Sequence, residues 1–288
     1  MQLPEEVPLA WTRHDIEQRL AFRGGRFTRV NTLLSALIAV VIVIAFFAAL
    51  IPFDESRFAR MFTDQGSIPY AICFFSAWAF SILFLKWRKL RYQKRALKYV
   101  VVPEDHDFVL TSATVQTVID RIHATVDDPR NFVLFNRIVV ALSNLKNLGR
   151  VADVDDILRS QSETDESVTE TSYAIVGGFV WAIPVLGFVG TVLGLSTAIG
   201  GFGEVLQSTE EFSAIKDALK GVTGGLSTAF VTTLQALVAA LVIQLWLTFL
   251  KKDEQEFLDE CSEYCSRHIV NRLRILPFEA QPDEPVYE

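Results

Sequence analysis

Uncharged residues gather in four long blocks along this chain. There are 24 between Arg29 and Asp54, 21 between Asp64 and Lys86, 33 between Glu170 and Glu204, and 30 between Lys220 and Lys251. A membrane-crossing helix needs about 20 such residues, whereas a soluble helix of that length keeps a polar face. All four blocks are predicted to be transmembrane helices. The first follows 29 residues of chain and has a longer apolar run than a signal peptide, so it reads as a true span.

Between spans two and three the pattern turns to helical pieces with polar faces. Asp128 followed by Pro129 predicts an N-cap and first helical position, with Phe132, Phe135, Ile138, Val139 and Leu142 at helical spacing behind them and Gly149 as the stop. Asp153 is placed to cap a second helix that runs into span three without Gly or Pro. After span four the pattern stays helical from Lys251 to Pro277. Two long helices are therefore expected to form an intracellular stalk, ahead of a disordered tail rich in Pro and acids.

The predicted fold class is all-α: a polytopic membrane protein with four transmembrane helices, a helical cytoplasmic domain, and long helices extending from spans three and four. The expected divisions are a cytoplasmic segment over 1–29, a transmembrane hairpin over 30–87, a cytoplasmic helical domain over 88–171, and spans three and four over 172–250. A C-terminal helix over 251–276 and the tail over 277–288 complete the chain.

Charge sets the expected orientation. The formal net charge is −7, yet Lys and Arg crowd particular span ends. Arg23, Arg26 and Arg29 precede span one, seven basic residues from Lys86 to Lys98 follow span two, and Lys251 and Lys252 follow span four. Such residues are retained on the cytoplasmic side, so both termini and the middle domain are expected inside, in a bacterial inner membrane. The Lys86–Lys98 run is explained by that position, and no nucleic-acid role is assigned.

Several chemistries find no support. No phosphate-binding GxxxxGK[ST] loop occurs, GGFG at 200–203 falls at a span end, and no nucleophile–base pair stands out, so an enzyme is not expected. Cys73, Cys261 and Cys265 do not form a disulfide framework. Cys261, Cys265 and His268 share a helical face but fall short of four zinc ligands. No metal or cofactor is expected.

The informative residues lie in spans three and four. Pro184 interrupts span three, and Gly187, Gly190 and Gly194 fall on one face where another helix can approach. Span four gathers Ser227, Thr228, Thr232, Thr233 and Gln235 within nine residues. Hydroxyls in a span often only bond the carbonyl one turn back, but this density points to a hydrated or partner-facing wall.

Two motifs, IPVLGFVGTVLGL from Ile183 and KGVTGGLSTAFVTTLQALVAAL from Lys220, resemble the final two spans of the MotA/TolQ/ExbB proton-channel family. The resemblance implies a homopentamer around a dimer of a single-span MotB/TolR/ExbD-like partner whose transmembrane Asp carries the ion. It implies that Thr191 and Thr233 correspond to the channel threonines, while Thr228 falls where TolQ and ExbB have a glutamate. The four-span order is similar to the flagellar-stator member. Thr191, Thr228, Thr232 and Thr233 are the expected ion pathway, and Pro184, Gly187, Gly190 and Gly194 the helix-packing positions.

None of the four blocks contains Asp, Glu, Lys, Arg or His. A titrating group at membrane depth must then come from a partner. The family resemblance implies H+ as the ion, although hydroxyls suit Na+ as well. The competing reading is a non-conducting membrane scaffold that assembles through the glycine faces and recruits cytoplasmic partners. It accounts for the glycines and leaves the hydroxyls unmotivated.

Overall fold

The computed structural model describes residues 8–20, 22, 24–103, 109–111, 113–148, 152–208 and 212–273. In chain order the α-helices are α1 (Trp11–His14), α2 (Ile16–Arg19), α3 (Thr32–Leu50), α4 (Arg57–Thr63), α5 (Ile68–Gln93) and α6 (Val115–Thr125). They continue with α7 (Val133–Leu148), α8 (Ala152–Thr171), α9 (Ala174–Ser208) and α10 (Phe212–His268). The described residues hold no strand, only isolated bridges of Leu9 with Val126 and Leu110 with Leu273. Four helical stretches, containing α3, α5, α9 and α10, are long and apolar enough to cross a membrane. The protein is an all-α polytopic membrane protein.

Two compact units divide the fold. One comprises Thr32–Leu85 and Tyr173–Leu250; the other comprises the described parts of Met1–Asn31, Lys86–Ser172 and Lys251–Glu288.

In the apolar unit, Trp78 donates from Nε1 to Ser35 Oγ at 3.0 Å, tying α5 to α3. Its ring also meets Phe179 of α9 at 4.9 Å, and Phe80 meets Trp246 of α10 at 5.6 Å. Tilted ring pairs of this kind contribute about 0.5–1.5 kcal/mol each beyond their burial. Other large side chains point outward, among them Trp181 at 72% and Phe249 at 69% exposure. That is the composition of a surface solvated by lipid or by another apolar chain, not by water.

The polar unit is held by buried charges as well as by an aromatic core. Trp11 packs against Tyr92 and Phe132 with centroids at 5.8 and 5.3 Å. Lys86 pairs with Glu254 at 3.4 Å, Lys89 with Glu17 at 2.6 Å, and Arg137 with Asp165 at 2.6 Å. All six side chains are at most 5% exposed. Burial raises the Asp165 carboxyl from its ordinary range, against the opposing pull of the guanidinium. Lys94 meets Asp253 at the surface. Three lysines of the basic run after span two are thus structural partners of specific acids, which composition could not reveal.

Several helix ends differ from their sequence expectations. Asp128 accepts from the Arg130 amide at 3.0 Å and caps only the 3₁₀ turn Pro129–Asn131. Helix α7 starts at Val133 because Gln93, distant in sequence, does the capping. Its Oε1 accepts from the Val133 amide at 3.2 Å, and its Nε2 donates to the Asn131 carbonyl at 2.6 Å. Asp153 lies inside the first turn of α8, with Asp155, where carboxylates favour the positive helix end. The expected continuous helix into span three breaks at Ser172 and Tyr173. There the Ser172 hydroxyl donates to the Thr169 carbonyl at 2.5 Å, and Tyr173 is buried.

Helix α10 ends at His268 rather than near Pro277. The chain turns through Val270–Arg272 so that the Arg272 carbonyl accepts from the Leu110 amide at 3.0 Å. The stop expected at Gly149 and the tail over 277–288 lie outside the described residues. Cys261 and Cys265 are free and buried, and burial raises both thiols, Cys265 to about 12. Such thiols are inert at neutral pH.

Candidate functional site

Helices α9 and α10 approach closely because small residues face each other along their seam. A Cβ added at Gly194 would stand 2.6 Å from the Gly225 carbonyl oxygen, and one at Gly225 would stand 2.5 Å from that of Gly194. A Cβ at Gly187 would meet Ala236 at 2.5 Å. Any side chain there forces the backbones apart. Gly187, Gly190 and Gly194 are therefore spent within one chain, on its own α10, while Gly177, Gly178 and Gly200 of α9 face open space. The matching residues on α10, Gly225, Ala229, Thr232 and Ala236, stand at helical spacing and are the sequence signal of the same seam. Pro184 lies within α9 and removes the amide that would bond the carbonyl one turn back.

Close approach brings two hydroxyls together. Thr191 of α9 and Thr233 of α10 are hydrogen-bonded to each other, and either oxygen can be the donor. Thr233 also reaches the Gly187 carbonyl across the seam at 3.1 Å. Thr191 reaches the carbonyls of Gly187 at 3.2 Å and Ala229 at 3.4 Å. Each hydroxyl has one hydrogen and two lone pairs, so the pair can reverse its direction of donation and still present an oxygen to a proton donor or a cation. Both residues are only half-buried.

The other hydroxyls divide. Thr232 is fully buried, bonds the Thr228 carbonyl at 2.9 Å, and is the group a Cβ at Gly190 would strike. It fills the seam, which departs from the partner-facing wall expected for it. Thr228 bonds the Gly224 carbonyl at 3.2 Å and is half-buried. Gln235 donates to the Met61 carbonyl at 2.8 Å. Thr228, Thr232 and Gln235, which stand at i, i+4 and i+7 and so share one helix face by spacing, thus occupy three environments.

Two cavities adjoin these residues. One, of about 460 Å³, is apolar and is lined by α3, α5 and α10 residues such as Phe46, Cys73, Phe80 and Val238. The other, of about 570 Å³, is lined by the 64–68 loop together with α9 and α10, and carries most of the unit's polar lining. Among the described residues no cluster of His, Cys, Asp and Glu could hold a metal ion.

Residues 134–263 match the MotA/TolQ/ExbB proton channel family. The matched segment takes in α8, α9 and nearly all of α7 and α10, hence both threonines of the pair and the Arg137–Asp165 bridge. It leaves out α3, α4 and the membrane part of α5. The match spans 130 of the 288 residues and is a likeness to that family, in a chain whose four long apolar helices make it a membrane protein. No curated protein and no solved structure matches the chain.

Proposed function

We propose that this chain is the channel subunit of an ion-driven motor in a bacterial inner membrane, with both termini cytoplasmic. Five copies surround two copies of a single-span partner, and the partner's intramembrane Asp carries the ion. The observation that supports this most is the Thr191–Thr233 pair, joined across α9 and α10 within blocks of sequence that hold no Asp, Glu, Lys, Arg or His.

In this reading the wall supplies oxygens and the partner supplies charge. A protonated Asp can cross a site of neutral hydroxyls that would not tolerate a carboxylate left unsolvated. When the Asp loses its proton, hydrogen bonds from Thr191 and Thr233 stabilise the anion; when it regains one, it is free to move to the next subunit. Relative rotation of pentamer and dimer follows from that alternation, with H+ as the ion the family resemblance favours and Na+ as the other that hydroxyls suit. Thr228 stands one turn from the pair at the mouth of the wall, and Thr232 serves the seam. The chain works without a resident cofactor and is not an enzyme.

A non-conducting scaffold would need its glycine faces free for assembly. Gly187, Gly190 and Gly194 are already filled by α10 of the same chain, which favours the channel reading. Purification from native membranes is expected to yield a 5:2 complex with a short protein that has one span and one intramembrane Asp. A stable homo-oligomer with no such companion would count for the scaffold.

A further inference from the structure

The loop between the first two membrane helices falls outside the family match, yet it closes a cavity on the same two helices that carry the hydroxyl pair. The cavity of about 570 Å³ is lined by Asp64, Gln65 and Ser67 from the loop and by Thr197, Ser227 and Thr228 from α9 and α10. Ile68, next in the chain, lies against Gly190: a Cβ built there would be 3.3 Å from its Cγ2. The loop is thereby seated on the seam.

The chemistry of the lining has one sign. Asp64 is the charged residue among those that line the cavity, and every other polar side chain there is a hydroxyl or an amide. Gln65 Oε1 is a buried acceptor with no hydrogen-bond donor. An orphan acceptor, a carboxylate and several hydroxyls together offer oxygens to a donor or a cation and repel an anion. Thr228 faces this cavity and stands five residues before Thr233, about 7.5 Å along the helix axis.

We propose that the 64–68 loop and the adjoining ends of α9 and α10 form a vestibule that collects a monovalent cation, hydronium or sodium, and passes it along Thr228 toward the Thr191–Thr233 pair. The proposal rests on the channel reading above. Asp64 raises the local cation concentration by its field, and the hydroxyls of Ser67, Thr197, Ser227 and Thr228 accept from the hydration shell of the arriving ion. The hairpin then has a task that the matched region lacks.

The test is ion flux into vesicles holding the full chain with its partner, at low and high ionic strength, under a pH gradient or a sodium gradient. A field effect is screened by salt, since the Debye length falls from about 30 Å at 0.01 M to about 8 Å at 0.15 M. Asp64→Asn is expected to lower flux about two- to tenfold at low ionic strength and to converge on wild type at high salt, while Asp64→Glu keeps wild-type flux. Whichever gradient shows this pattern names the ion. Equal flux of Asp64→Asn and wild type at low salt would overturn the vestibule, as would a loss that salt does not change and Asp64→Glu does not rescue. If Asp64→Asn is silent while threonine-to-valine changes at the pair still stop flux, only the vestibule fails. A wild-type complex that passes no ion would overturn both.

Discussion

The Thr191→Val, Thr233→Val double variant is expected to lose about tenfold to a hundredfold of the ion flux of the intact complex. Valine has the shape of threonine, so the seam stays filled. Removing both hydroxyls together also leaves no orphaned partner, because each was bonded to the other and to helix carbonyls that keep their backbone bonds. What disappears is the hydrogen bond to a charge at the crossing point, worth about 1.5–3 kcal/mol. With about 1.4 kcal/mol per tenfold, that gives the stated range. Assembly with the partner, followed by co-purification, should be unchanged. A variant that assembles and conducts like wild type would remove the pair from the pathway.

The second large effect concerns the polar unit. Glu254→Ala is expected to destabilise it by about 3–5 kcal/mol, because it takes the carboxylate away from Lys86, which is 1% exposed. Glu254 also accepts from the Thr28 hydroxyl, which would lose that acceptor. Replacing both members, Lys86→Met with Glu254→Leu, should recover most of the loss, since apolar residues of similar size often match a buried ion pair. Thermal unfolding of the two variants in one detergent distinguishes the cases. A Glu254→Ala protein as stable as wild type would mean that the pair carries no weight in the fold.

Much of this was legible in the sequence, for a physical reason. Membrane spans obey a length and charge rule that needs no tertiary context, so all four helices could be read from uncharged blocks. The glycine face of α9 was equally plain, because only close approach makes use of three such residues at that spacing. The Thr191–Thr233 contact could be reached only through the family resemblance, since spacing within one helix says nothing about which residue of another it meets.

The illegible parts share a cause. Gln93 caps α7 from far away in the chain, displacing the local Asp128-Pro129 signal by several residues. Thr228, Thr232 and Gln235 share one face by spacing, but Thr232 fills the seam while Gln235 bonds the Met61 carbonyl. The lysines after span two have the charge pattern expected of a cytoplasmic span end, and Lys86 and Lys89 also find buried acids, a role that depends on the fold. Asp64 carried no motif at all. Its place beside Thr228 comes from the seating of a loop, which periodicity does not encode.

In the proposed channel the wall conducts only when a partner brings the carboxylate. Proton uptake is compared between vesicles containing the chain alone and vesicles containing chain and partner at equal amounts. No flux is expected from the chain alone, flux from the complex, and loss of that flux when the partner's intramembrane Asp is changed to Asn. Flux from the chain alone, or undiminished flux after the partner's Asp is replaced, would contradict it.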